Sequence, residues 1–223
     1  MVYLHSFWSQ PKRGAAGEDK DIGLKDFEAM TWLVSALQAR RHGRIRMLTD
    51  ARGLRFLRRT GLEWIYNGGV STALDDTPAD IHPKVFWTAG RMFAFALMDE
   101  PFASVDTDAI LWQPLAATGQ VLALHHEDRR RVSYASNRAN FERFGFTGPG
   151  WNWRLQPVNL GVVAFPSPTV ASSATAAPST AIKSSPLGPR RSRVSARPPA
   201  ASASSSWSER LSAPPASKPV TPW

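Results

Sequence analysis

The composition of the chain changes abruptly after Phe165, and this change limits how much of the sequence can fold around a core. Of the 58 residues in the segment 166–223, 37 are Ser, Ala or Pro, and the large apolar residues there stand alone. Such a segment cannot bury enough apolar surface to offset the entropy lost on ordering it. We therefore predict a folded domain over residues 1–165 and a disordered, basic tail over residues 166–223.

The junction between the two segments is unusual for the end of a domain. The apolar run 160–165 is typical of a buried strand, and it passes directly into Pro166-Ser167-Pro168 without the turn or helix that usually closes a domain. One hypothesis is that a shifted reading frame in a GC-rich gene encodes the tail, which would leave the domain truncated. Translating the other two frames downstream of Phe165 tests this, and the hypothesis fails if neither frame gives an amphipathic continuation.

The net charge of +9 belongs mostly to the tail. Residues 166–223 contain seven basic residues and one acidic residue, whereas residues 1–165 contain 20 basic and 17 acidic residues. A nearly balanced domain does not favour specific binding of nucleic acid. The absence of cysteine excludes a disulfide scaffold, a thiolate zinc site and a cysteine nucleophile. Because the sequence contains no apolar run near the ~20 residues of a membrane-spanning helix and no signal-peptide pattern, we expect a cytoplasmic protein without a membrane span.

Hydrophobic periodicity along residues 1–165 alternates between the two-residue repeat of strands and the 3.6-residue repeat of helices. The pattern predicts a helix over 24–41, a short helix that stops at Gly61, and a helix over 83–97 that Pro83 opens. Strands are predicted at 2–5, 45–48, 64–66, 102–105, 121–124 and 160–165, with 110–112 continuing the fourth or forming its neighbour. This alternation predicts an α/β sheet with helices on both faces.

Two Asp-x-Asp strings occur in the sequence, and their surroundings differ. Asp19 and Asp21 lie in a polar loop, whereas Asp106 and Asp108 follow the apolar run 102–105. In an extended chain, residues two apart project to the same face, so the second pair would converge at the carboxyl end of a buried strand. A hard divalent cation, Mg²⁺ or Mn²⁺, would relieve their mutual repulsion. The alternative is a strand-end turn in which the Asp side chains cap backbone N–H groups.

Other polar residues at predicted strand ends and on one helix are further candidates. Lys84, Trp87 and Arg91 share one helix face, which either meets a diphosphate or is a solvated basic stripe with a half-buried Trp. Asp50 ends the second strand, where it either contacts a base or ribose or caps the helix that starts at Ala51. The cluster 125–128 either supplies a third metal ligand or a base, or is a polar, exposed strand end.

The segment 102–115 resembles the GT-A class of glycosyltransferases that carry an Asp-x-Asp motif. It has an apolar strand, then Asp106-Thr107-Asp108, then an apolar stretch that ends in Pro114-Leu115. Some 50 residues later, Asn159-Leu160-Gly161 and the apolar run after it resemble the Asn-x-Gly strand that lines the sugar site in that class. His5-Ser6 after the first strand and Thr49-Asp50 after the second are similar to an uncharacterised bacterial domain family within this group.

The resemblance implies a GT-A-like, Rossmann-like mixed sheet that binds a nucleotide-diphospho-sugar donor together with Mn²⁺ or Mg²⁺. Asp106 would contact ribose or the metal, Asp108 would ligate the metal, and Asn159 would orient the sugar or the acceptor. The other expected donor-binding residues are His5, Ser6, Asp50, Lys84 and Arg91.

The chain also departs from that class. It has no histidine after His126 to act as a third metal ligand, and the tail replaces the elements that bind the acceptor. Only Glu127 and Asp128 are candidates for a catalytic base. The sequence therefore predicts a metal-dependent glycosyltransferase, weakened by loss of its acceptor region and acting on an unknown acceptor. The alternative is a non-catalytic protein that binds a nucleotide or a sugar.

Overall fold

The computed structural model describes residues 1–12, 22–79, 81, 83, 86–116, 118–128 and 156–172, all within one compact unit, Met1–Pro186. The strands are β1 (Val2–Phe7), β2 (Ile45–Thr49), β3 (Val70–Ser71), β4 (Phe102–Val105), β5 (Leu122–Ala123) and β6 (Val162–Phe165). The α-helices are α1 (Asp26–His42), α2 (Ala51–Arg59) and α3 (Ala89–Ala96). Short 3₁₀ turns lie at Gln10–Lys12, Glu63–Ile65 and Ala73–Asp76.

The six strands form one mixed sheet in the order β3-β2-β1-β4-β6-β5. β1, β2, β3 and β4 are parallel, whereas β6 runs antiparallel to both β4 and β5. From β1 the chain winds outward to β2 and β3, then returns to place β4 on the other side of β1. The order of the parallel strands therefore reverses between β1 and β4, and ligands of open α/β sheets bind beyond the carboxyl ends of strands at such a point.

Side chains alternate along β1 and build a core on each face of the sheet. Tyr3 and Phe7 belong to a cluster with Trp32 of α1 and Phe56 of α2. Val2 and Leu4 belong to a second cluster, which includes Phe95 of α3 and Phe165 of β6. The prediction of an α/β sheet with helices on both faces is confirmed.

The packed core extends beyond residue 165. A helical turn follows β6 at 168–172, and its Ala171 is fully buried against the α3 side of the sheet. β6 is thus followed by a helical turn, and its buried Ala171 lies six residues past the predicted end of the domain. Residues 173–223 lie outside the described residues, so the disordered tail stays a prediction.

Three predicted elements are wrong. The strand expected at 64–66 is absent, since Trp64 and Ile65 belong to the 3₁₀ turn Glu63–Ile65 and Tyr66 caps it. Trp64 is 65% exposed, with the Arg40 guanidinium over its ring. The third strand is instead Val70–Ser71. The helix expected over 83–97 starts only at Ala89, after turns at Trp87 and Thr88. The residues 110–112 form no strand, because the chain turns directly after β4.

Candidate functional site

The carboxyl end of β4 is followed at once by a tight turn. The Asp106 N–H donates to the Gly161 carbonyl at 2.7 Å, and the Ala109 N–H donates back to the Asp106 carbonyl at 2.9 Å. The turn leaves Asp106 half-buried and Asp108 exposed. The extended geometry that the sequence suggested for the two carboxylates is therefore wrong, because a turn occupies 106–109. They remain electrostatic neighbours, since the Asp108 charge raises the pKa of Asp106.

Arg91 of α3 reaches the Asp106 carboxylate from the neighbouring helix. Its Nη2 donates to Asp106 Oδ1, and its Nη1 donates to the Leu160 carbonyl at 3.2 Å. The pair is partly buried, with the Arg91 side chain 18% exposed and the Asp106 side chain 29% exposed. Arg91 thus connects α3 to the end of β4 and to the segment that leads into β6.

Gly161 lies between Asp106 and a hydrogen-bonded amide. A Cβ at position 161 would lie 3.5 Å from Asp106 Oδ2 and 2.8 Å from Asn159 Oδ1. Asn159 Oδ1 accepts from the Gly161 N–H at 2.8 Å, and Asn159 Nδ2 donates to Glu127 Oε1 at 2.6 Å. The missing side chain of Gly161 therefore allows the Asn159 amide to approach the Asp106 carboxylate.

Backbone pairing beyond β5 and β6 positions Glu127 beside Asn159. The Asn159 N–H donates to the His125 carbonyl at 2.8 Å, and the Glu127 N–H donates to the Pro157 carbonyl at 2.7 Å. Glu127 and Asn159 are therefore held by the same ladder, and their side chains meet across it.

Burial dominates the acid–base behaviour of Asp106. It raises the pKa of the carboxyl to about 6, and the charge of Asp108 acts in the same direction. The Arg91 guanidinium lowers the pKa but does not outweigh the loss of hydration. Asp106 is therefore in partial protonation equilibrium near pH 6.

A chain of buried hydrogen bonds supports the turn from the other face of the sheet. Ser35 Oγ lies 2.6 Å from the Ala109 carbonyl and 3.1 Å from the Asp106 carbonyl, so its single proton points to these acceptors. Ser35 Oγ must then accept from His5 Nε2, 3.2 Å away. This assignment makes His5 the Nε2–H tautomer.

The same chain continues from His5 into α1. His5 Nδ1 accepts from the Tyr66 hydroxyl at 3.1 Å, and Tyr66 Oη accepts from Trp32 Nε1 at 2.6 Å. Burial lowers the pKa of His5 to about 3, so the ring is neutral. Burial also raises the pKa of Tyr66, with a smaller opposing effect from Trp32. Every polar side-chain atom in this series of hydrogen bonds has a partner without any formal charge.

The structure brings together four of the residues that the sequence indicated: Asp106, Arg91, Asn159 and Glu127. Ser6 lies level with Asp106, because Val2 pairs with Phe102 and Leu4 with Ser104 across β1 and β4. Asp128 is exposed nearby on the segment after β5. Lys84 lies outside the described residues.

His5 and Asp50 are placed differently from what donor binding would require. His5 is fully buried, with both ring nitrogens bonded to Tyr66 and Ser35. Asp50 Oδ1 accepts from the Gly53 N–H at 2.8 Å, and Asp50 Oδ2 accepts from the N–H and hydroxyl of Ser9 at 2.9 and 2.7 Å. Asp50 is thus the cap of α2, the alternative that the sequence left open.

Sequence reasoning missed the supporting residues Ser35, Tyr66 and Trp32. Trp32 and Ser35 lie three residues apart on α1 and share a helix face. A serine on the apolar face of a helix was the available signal, since a buried hydroxyl requires a partner.

The two Asp side chains are the described groups that could hold a cation. No cluster of three or more His, Asp or Glu side chains suited to a metal occurs among the described residues. A pair of carboxylates still fits Mg²⁺ or Mn²⁺, because such ions often bind proteins through one or two carboxylates and complete their shell with water and phosphate. Because Asp106 Oδ1 accepts from Arg91, a cation bound to Asp106 would compete with the guanidinium for the charge of that carboxylate.

In the part of the chain that the structure describes, no helix is long and apolar enough to cross a membrane.

Comparison with known proteins places the chain in a family. No curated protein matches the sequence. Residues 1–142, which include Asp106 and Asp108 but not Asn159, match DUF6734, a family of unknown function. Because the match covers more than half of the 223 residues, the chain belongs to the DUF6734 family.

Proposed function

We propose that this protein is a metal-dependent glycosyltransferase with a GT-A-like fold that uses a nucleotide-diphospho-sugar donor. The observation that carries the proposal is the position of Asp106, at the carboxyl end of β4 and beside the strand-order reversal between β1 and β4. Open α/β sheets bind their ligands at such positions. The resemblance of 102–115 and 159–165 to the Asp-x-Asp glycosyltransferases gives the substrate class.

Each residue of the cluster has a task in this proposal. Asp106 and Asp108 would hold Mn²⁺ or Mg²⁺, which would supply positive charge next to the departing diphosphate. Arg91 supplies a second positive charge beside it. Asn159 presents its amide to the sugar or the acceptor, and Glu127 fixes the orientation of that amide through the 2.6 Å hydrogen bond. A cytoplasmic location and an acceptor hydroxyl of unknown identity belong to the same proposal.

A non-catalytic nucleotide or sugar binder is the second candidate. The observation that favours it is the engagement of Glu127 with Asn159. Glu127 is one of the two residues expected to act as a base, and its carboxylate already accepts a hydrogen bond from Asn159. In this interpretation the carboxylate holds Asn159 in place and does not remove a proton. A protein that binds a donor without turnover would need the same cluster and no base.

The test measures binding and turnover separately on the full chain. Nucleoside-diphosphate release from a panel of nucleotide sugars is followed with and without Mn²⁺, and donor binding is followed by calorimetry. Asp108→Asn should abolish both the Mn²⁺-dependent binding and any turnover. Asp99→Asn is the matched control, since Asp99 is an exposed carboxylate that precedes the opposite end of β4. Binding without turnover selects the second candidate, and the absence of both rejects both candidates.

A further inference from the structure

We propose that the Arg91–Asp106 ion pair is an exchange switch that makes the binding of a divalent cation and of a diphosphate mutually dependent. The inference rests on the proposed function and concerns the contacts of Asp106 and Arg91 in the protein without ligands. In this state Asp106 Oδ1 is occupied by Arg91, whose other terminal nitrogen donates to the Leu160 carbonyl. The same guanidinium is therefore a competitor of any cation that approaches Asp106.

The partial burial of the pair makes either ligand alone unfavourable. The two side chains are 18% and 29% exposed, so breaking the pair leaves a poorly hydrated charge behind. A divalent cation that took Asp106 alone would leave Arg91 unpaired beside a second positive ion. A diphosphate that took Arg91 alone would leave Asp106 unpaired beside a second anion. When both ligands bind, each half of the pair gains a new partner of opposite charge.

In this proposal the Arg91 side chain moves while α3 keeps its position. Gly90, its neighbour in α3, packs so closely on Trp8 that a Cβ there would lie 2.3 Å from the Trp8 Cβ. The helix therefore packs directly against the residue that follows β1. Arginine also suits the exchange, since its five N–H donors can transfer from a carboxylate to a phosphate without a change in charge.

The distinguishing test is the affinity for Mn²⁺ alone, measured by electron paramagnetic resonance in the absence of nucleotide. Arg91→Met should bind Mn²⁺ several-fold more tightly than the wild type, because the competing cation is gone, and should bind a nucleoside diphosphate more weakly. The factor by which nucleoside diphosphate enhances Mn²⁺ binding, roughly 5- to 150-fold for coupled sites, should shrink in the variant. Arg91→Lys keeps the positive charge but lacks the planar, forked guanidinium, so its Mn²⁺ affinity should lie between those of the wild type and Arg91→Met.

The controls separate failure of the switch from failure of the proposed function. Arg46→Met removes another Arg–Asp pair, with Asp99 at 3.0 Å before the opposite end of β4, and should leave Mn²⁺ affinity unchanged. If Asp108→Asn abolishes Mn²⁺ binding but Arg91→Met and Arg91→Lys bind Mn²⁺ no better than the wild type, the switch is rejected and the proposed site stands. If neither Mn²⁺ nor nucleotide binds the wild type or either Arg91 variant, the proposed function is rejected with it. Should Arg91→Met fail to fold, the Mn²⁺ affinity of Arg91→Lys decides between the same outcomes.

Discussion

Asp106 is the residue at which burial and charge act in opposite directions, and each contribution can be removed separately. Arg91→Met should raise the pKa of Asp106 above its value of about 6, since the guanidinium that lowers it is lost. Asp108→Asn should lower it, since a neighbouring negative charge disappears. Carbon-13 NMR of the Asp carboxyl groups in cation-free buffer measures both shifts. An Asp106 pKa that moves in the same direction in both variants would contradict the arrangement.

For individual residues, the sequence identifies the candidate carboxylates of the site but not the direction in which every side chain points. Asp106 is a candidate because it follows a buried strand, Arg91 because it lies on a basic helix face, and Asn159 because of the family resemblance, and the structure brings them together. His5 is also a candidate from the resemblance, yet its odd-numbered position in β1 places it with Tyr3 and Phe7 on the α1 side of the sheet. The two-residue alternation of the strand could have shown this. The pairing of Arg91 with Asp106 could not be read from the sequence, because it depends on how α3 packs.

Among the secondary-structure elements, α3 depends most closely on one small residue. A Cβ at Gly90 would lie 2.3 Å from the Trp8 Cβ and 2.7 Å from its Cγ. Gly90→Ala gains up to ~1 kcal/mol of helix propensity, but overpacking against a backbone-anchored side chain costs about 1–3 kcal/mol, so the clash should prevail.

Urea denaturation of Gly90→Ala should therefore give a lower free energy of unfolding than the wild type. Gly23→Ala is the matched control, since nothing lies within 4 Å of a Cβ at position 23. Its free energy of unfolding should remain within a few tenths of a kcal/mol or rise slightly. Equal stability of Gly90→Ala and the control would show that α3 can move away from Trp8.

Long periodic segments were predictable, and short segments governed by packing were not. The helical spacing over 24–41 corresponds to α1 within two residues at its start, and the run 102–105 is β4. Pro83 is expected to open the helix, but α3 begins only at Ala89, and the next residue, Gly90, contacts Trp8. The apolar residues 110–112 suggest a strand, yet the turn that begins at Asp106 redirects the chain before them. In both cases tertiary contacts outweigh the local pattern.

For the sheet as a unit, the sequence predicts the class but not the strand order. Alternating strands and helices require parallel pairing with crossovers, which β1, α1 and β2 provide. Nothing in the sequence states that β4 returns to the far side of β1, or that β6 enters antiparallel between β4 and β5. That placement decides which strand ends meet, and hence why Asn159 lies beside Asp106 although 53 residues separate them.

A buried chain of hydrogen bonds runs from Trp32 through His5 to the turn at Asp106, and His5 is the group in it whose protonation should make stability depend on pH. His5 has a pKa of about 3 in the folded state, against an ordinary value of 6.5, so only the unfolded state takes up a proton between these limits. The free energy of unfolding should therefore fall as the pH drops below 6.5, by up to about 1.4 kcal/mol per pH unit, and level off near pH 3.

The comparison with His5→Gln isolates this effect from other titrations. Glutamine keeps a donor and an acceptor but does not ionise, so the wild type should lose stability more steeply than the variant in urea denaturation at about pH 7.5, 6 and 5. Asp106 titrates near pH 6 in both proteins and cancels in the difference. Parallel pH profiles would mean that His5 accepts a proton in the folded protein. That result would contradict the assignment in which His5 Nδ1 accepts from the Tyr66 hydroxyl, because a protonated ring donates from both nitrogens and keeps only its hydrogen bond to Ser35.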